Sequence, residues 1–123
     1  MRILNLTQHP ATPEQVAAGV VEPADKGQVQ NLLTFDTLPT RNEICNRAWT
    51  LAQIAYQSGE TAIMIGGAPY LMGPLESNLR SSMQLTVLYS FTQRVSEEQS
   101  LPDGTVKKTA VFKHVGWVEV RPS

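Results

Sequence analysis

The 123-residue chain has one cysteine, two histidines and 7% aromatic residues. A lone Cys45 excludes an intrachain disulfide and a zinc cluster built on cysteines. With His9 and His114 as the only histidines, a three-ligand metal site would need acidic partners that the sequence pattern does not supply, so neither metal nor cofactor is expected. No apolar run approaches the ~20 residues of a membrane span. The opening MRILNLTQHP has one positive charge and a short apolar run that soon meets Gln, His and Pro, which is not a secretory signal, and a cytoplasmic protein is expected. The sequence contains no P-loop, no GxSxG elbow and no HExxH, and a Ser-His-Asp triad would have to use His9 or His114 with an unmarked serine. A net charge of −1 and a pI near 6.1 argue against a duplex-DNA binder, which normally carries a basic surface.

What is present suits one domain over residues 1–123: 41% of the chain is hydrophobic, enough for one sizeable core. Charge is uneven. Residues 1–79 hold four Lys/Arg against seven Asp/Glu, and residues 80–123 hold six, Arg121 among them, against four. The mildly basic last third suits either a small anionic ligand or an ordinary solvated hairpin.

The apolar run Ile3-Leu4-Asn5-Leu6 predicts a strand over 2–7. Thr12-Pro13-Glu14-Gln15 is a capping box with proline at the first helical position, opening a short helix that ends near Gly19. Residues 20–27 read as a loop and 28–33 as a second short helix. Thr40-Arg41-Asn42-Glu43 is a second capping box, and Ile44, Ala48, Leu51 and Ala55 then mark one helical face up to Gly59. Residues 61–65 form a second strand and 70–81 a third helical pattern, with Gly73-Pro74 as a kink or a delayed start. A third strand covers 85–91. Residues 95–101 and 105–112, joined by Pro102-Asp103-Gly104, read as a separate antiparallel hairpin, with a final strand at 117–120. Alternating strands and helices predict an α/β fold: a three-layer, Rossmann-like parallel sheet with a C-terminal antiparallel β-hairpin.

In such sheets ligands bind beyond the carboxyl ends of the strands. Three loops gather there: Thr7-Gln8-His9, Gly66-Gly67-Ala68-Pro69 and Ser90-Phe91-Thr92-Gln93-Arg94. His9 precedes a capped helix whose N–H groups favour anions, or it merely bonds its own loop. Gly66-Gly67 admits a ligand close to the backbone, or is only a tight turn. Arg94 forks onto a phosphate, or is a surface charge at a strand end. Lys113-His114 follows the hairpin and belongs either to the site or to a solvated edge.

The stretch Thr7-Gln8-His9-Pro10-Ala11-Thr12-Pro13-Glu14-Gln15 is similar to the (S/T)-x-H-x-(L/A)-T-x-E-Q start of small stand-alone CRISPR-associated proteins of the CARF type. The resemblance continues at Gly66-Gly67-Ala68-Pro69, at residues 89–94, at Asp103-Gly104-Thr105-Val106-Lys107 and at residues 112–117, while residues 20–60 add nothing to it. It implies a Rossmann-like nucleotide-binding domain and ring-nuclease activity: metal-independent cleavage of a cyclic oligoadenylate by attack of a ribose 2′-OH on the adjacent phosphate. It assigns Arg94 to the phosphate and His9 to acid–base work. Thr7, Gln8 and Thr92 would orient the ribose or phosphate, Gly66, Gly67 and Tyr70 would line the adenosine pocket, and Lys113 and His114 would be further ligand contacts. A cyclic ligand with two-fold symmetry suits a homodimer with a shared pocket. The chain departs from the pattern at its NLTQH and GGAP segments, which leaves open a non-catalytic sensor or sponge, including a phage-encoded anti-defence protein.

Overall fold

The runs Ile3–Leu6 (β1) and Ala62–Ile65 (β3) are buried at every position, which requires cover on both faces of the sheet. A computed structural model, which describes residues 1–120, shows that cover; Arg121 lies outside the described residues. The other elements are α1 (Pro13–Ala17), β2 (Val20–Val21), α2 (Lys26–Leu33), α3 (Arg41–Gln57), α4 (Pro69–Ser77), β4 (Thr86–Ser100) and β5 (Val106–Val120). The sheet order is β2-β1-β3-β4-β5. β1 pairs in parallel with both β2 and β3, β3 pairs in parallel with β4, and only β4–β5 is antiparallel. The protein is therefore a mixed α/β fold on a five-stranded, mostly parallel sheet.

Alternation along the strands divides the core. Leu4, Leu6, Ile63, Ile65 and Val87 face a cluster built with Val29 and Leu33 of α2, Ala48, Leu51 and Ala55 of α3, and Leu71 and Leu75 of α4. Ile3, Val20, Ala62, Met64 and Leu88 face the other side, where Ala11 and Trp117 pack on them. Each fully buried leucine of the larger cluster contributes about 1.5–3 kcal/mol by removal from water.

Several expectations change. Val20–Val21, read as loop, forms an edge strand because its backbone pairs with Ile3 and Leu4. A two-residue run has no periodicity of its own to reveal this. Thr40 caps α3 by accepting from Glu43 N–H at 3.1 Å, but the Glu43 carboxylate turns to Arg47 Nη2 at 2.8 Å. The start of α4 is not delayed by Gly73-Pro74; the helix begins at Pro69 and widens after Ser77 into a π-turn, in which Met83 N–H bonds Asn78 C=O at 3.1 Å.

The largest change concerns the third strand. It does not stop at Phe91, and the hairpin is no separate unit. β4 continues to Ser100, and β5 returns unbroken from Val106 to Val120. Residues 92–100 contain neither glycine nor proline, so nothing local ends the strand once β5 pairs with it. Phe91 opposes Gly116 and Thr92 opposes His114, which leaves Val115 as the extra residue of a bulge. The turn itself is as expected: Gly104 has φ +85°, and Asp103 accepts from Thr105 N–H at 2.9 Å and from its hydroxyl at 2.6 Å. No helix among the described residues is long and apolar enough to cross a membrane.

Candidate functional site

From β1 the chain runs to β2 on one side; after α2 and α3 it returns to β3 on the other side of β1. The connections leaving β1 and β3 thus diverge, and the carboxyl ends of these strands flank a crevice. A recess of about 320 Å³ lies there, lined by Thr7, His9, Thr12 and Gln15 after β1, Gly66 after β3, and Ser90 of β4.

Asn5 builds the first wall. Its side chain is fully buried, and all of its hydrogen-bonding groups are used. Its Nδ2 donates to His9 C=O at 2.9 Å and to Glu22 Oε1 at 2.8 Å, while its Oδ1 accepts from Thr7 N–H at 3.1 Å and Thr7 Oγ1 at 2.6 Å. Glu22 Oε2 accepts from Ala11 N–H at 2.7 Å, and Lys26 Nζ donates to Thr7 C=O at 2.6 Å. The Thr7–Ala11 loop is therefore held from both sides rather than left to fluctuate.

Gln15 links this wall to β4. Its backbone N–H bonds Thr12 Oγ1 at 3.2 Å, and its Oε1 accepts from Thr12 N–H at 3.0 Å, closing the capping box. Its Nε2 then donates to Ser90 Oγ at 3.2 Å. Ser90 Oγ also lies 2.5 Å from His114 Nδ1, and the imidazole rests on Trp117 with ring centroids 4.3 Å apart. Tyr89, the neighbour of Ser90, faces the opposite core and donates to Glu76 at 2.5 Å. Burial, together with this bond to a carboxylate, raises the Tyr89 pKa well above that of a free phenol.

The structure thus brings Thr7, His9 and Gly66 to one recess, with His114 tied to its rim through Ser90. It sets the other anticipated residues apart. Gln8 turns to the end of α2, donating to Thr34 Oγ1 at 2.9 Å and Leu33 C=O at 3.3 Å. A side chain at Gly67 would meet Met72 and Leu33, and Tyr70, half exposed, meets Phe35 edge-on at 5.3 Å, with Arg47 over the Phe35 ring. Thr92 opposes His114 on the ribbon. Arg94 opposes Phe112 and shares the Ser90 face by alternation, but lies four residues further along β4, about 13 Å beyond Ser90 at strand rise. It is not in a loop at a strand end, because the strand continues. Lys113 faces away from His114 and pairs with Glu97 at 2.7 Å, an ion pair between exposed groups that raises the lysine pKa. Among the described residues, no lysine or arginine lines the recess, and no three His, Cys, Asp or Glu side chains gather where they would hold a metal.

Three residues of this arrangement escaped the sequence reading as site residues. Asn5 had a signal, a polar residue inside an apolar strand. Gln15 was read only as a cap. Ser90 stood at the head of the Ser90–Arg94 segment but carried no role of its own, since that role depends on which strand lies beside it.

A family model matches residues 1–118, which takes in every residue of the recess and the ribbon as far as Val118. The chain belongs to the uncharacterized protein MJ1673 family. No curated protein matches the chain, and no solved structure does. The MJ1673 family description carries no activity, so function is argued from the site itself.

Proposed function

We propose that this protein is a three-layer Rossmann-like nucleotide-binding domain that binds a cyclic oligoadenylate in the recess between β1, β3 and β4 and cleaves it without a metal. The carrying observation is the recess itself. It sits at the switch point of the parallel strands, has His9 among its lining residues, and has the His114 imidazole bonded to Ser90 at its rim. Two imidazoles are a sufficient acid–base set for attack of a ribose 2′-OH on the neighbouring phosphate, provided the reacting groups are held in line. His9 protonates the leaving 5′-oxygen. Thr7 and Thr92 orient the ribose and phosphate, Gly66 admits the backbone of the ligand, and Gly67 leads toward Tyr70, on which an adenine stacks. Gln8 braces this loop against α2. Arg94, on the Ser90 face of the ribbon, supplies positive charge to the part of the ring that extends beyond the recess, while Lys113 is held on the other face by Glu97.

A recess of about 320 Å³ is at the small end of ligand sites and suits one nucleotide rather than a ring. A ring of four or six nucleotides therefore spans two recesses across a two-fold axis, and the acting species is a homodimer. One observation favours a second reading, a sensor or sponge that binds without cleaving. No cation lines the recess, whereas stabilising a phosphorane normally uses one.

The test is incubation with cyclic di-, tri-, tetra- and hexa-adenylate in the presence of EDTA, reading binding and product separately. A linear product ending in a 2′,3′-cyclic phosphate supports cleavage. Binding with no product supports the sponge, and failure to bind any ring overturns both.

A further inference from the structure

We propose that Ser90 and His114 form a proton relay that opens onto the recess, with Ser90 as the catalytic hydroxyl and His114 as the remote base that acts through it. The inference rests on the cleavage reading above and assigns the base for it.

In the proposed relay the proton moves from Ser90 toward His114. Gln15 Oε1 accepts from Thr12 N–H, so its amide cannot be flipped without losing the capping box. Gln15 Nε2 is then a donor to Ser90 Oγ. One Ser90 lone pair is thereby occupied; in the relay the Ser90 hydrogen points to His114 Nδ1, 2.5 Å away. That direction requires the His114 tautomer that carries its proton on Nε2. Ser90 lines the recess, and its remaining lone pair is the one the relay offers to the substrate. The bulge at Phe91/Thr92 sets the position of His114, and Trp117 supports the ring from one side.

In the reaction, the substrate 2′-OH gives its proton to Ser90 Oγ as the Ser90 proton passes to His114 Nδ1. The 2′-oxygen forms its bond to phosphorus while the P–O5′ bond breaks, and the leaving 5′-oxygen takes a proton from His9. One proton is lost from the 2′-oxygen and one is gained by the 5′-oxygen, so the two imidazoles exchange charge states and reset through solvent.

The test uses the full chain with cyclic tetra-adenylate under single-turnover conditions. Ser90→Ala and His114→Gln are each expected to slow cleavage of the bound ring by about a hundredfold or more, a loss larger than any change in ring affinity. The double variant should be no slower than the slower single one, because the two groups act as a unit. Ser90→Thr, which keeps a hydroxyl and suits a strand, should restore most of the rate. Should Ser90→Ala fail to fold, His114→Gln and Ser90→Thr carry the comparison. In parallel, ¹⁵N spectra of the free protein at alkaline pH should show His114 as the Nε2–H tautomer, and this preference should be lost in Ser90→Ala. Cleavage at the wild-type rate by Ser90→Ala or His114→Gln overturns the relay alone. A wild-type chain that cleaves no ring overturns the functional reading and the relay with it.

Discussion

Asn5 shows how one side chain can decide the shape of a site. It is 0% exposed and makes four hydrogen bonds that join Thr7, His9 and Glu22. Asn5→Leu is of similar size but leaves the Glu22 carboxylate and the Thr7 and His9 backbone groups without these partners. Unfolding free energy should fall by about 2–3 kcal/mol, measured by urea denaturation, since each buried group left unsatisfied costs about 1–3 kcal/mol. Tyr89 makes a pH prediction. Its pKa is raised in the folded state, mainly by burial and then by Glu76, so the neutral phenol is the form that folding favours. Its contribution is complete below the ordinary tyrosine pKa of about 10 and is lost as pH rises beyond it. Thermal melts of the wild type and Tyr89→Phe should therefore converge as pH is raised from 8 to about 11. On the ribbon, Arg94→Ala should weaken ring binding by about 1.5–3 kcal/mol if the guanidinium reaches a phosphate; an unchanged affinity returns Arg94 to the role of a surface charge.

At the scale of elements, the ribbon stands apart from the rest. Neither core cluster contains a residue between Ser90 and Val115, and Phe91 and Phe112 are 55% and 71% exposed. A two-stranded ribbon of this kind is only marginally stable by itself and is ordered by its continuity with the sheet. Replacing residues 95–111 by Asn-Gly joins Arg94 to its opposite residue Phe112 through a two-residue turn. The shortened chain should still unfold cooperatively, with a loss of under about 1 kcal/mol, as removal of exposed loop and arm residues usually permits. Loss of the cooperative transition would show that the ribbon is part of the core. α3 carries the complementary prediction. Thr40→Ala removes the bond to Glu43 N–H and should cost about 1 kcal/mol, read by the same denaturation curves.

For the whole molecule, the recess draws on the ends of β1 and β3 and on Ser90 within β4, whose partner His114 lies on β5, so it exists only when the sheet is assembled. A ligand bound there stabilises the native state alone and should raise the unfolding temperature with concentration. Light scattering at micromolar concentration should give twice the 13.5 kDa chain mass if the ring is shared between two copies. A 13.5 kDa species both alone and with cyclic tetra-adenylate would leave a site for a single nucleotide only.

The features legible in the sequence were those governed by interactions within about four residues. The cap at Thr12, the α3 face through Ala48, Leu51 and Ala55, the buried runs of β1 and β3 and the turn at Asp103-Gly104 all follow from local spacing and backbone preference. The His9 and Gly66 loops came to one crevice because both follow central parallel strands, and hydropathy alone reveals such strands. Only the tertiary structure decided the rest. Val20–Val21 is a strand because β1 lies beside it, and β4 passes through Phe91 because β5 supplies partners as far as Ser100. That continuation carried Arg94 away from the strand-end loop that a strand ending at Phe91 predicts for it. The same pairing, offset by one residue at the bulge, set His114 against Ser90. Strand length and register depend on which backbone is adjacent, and a chain read one residue at a time does not contain that adjacency.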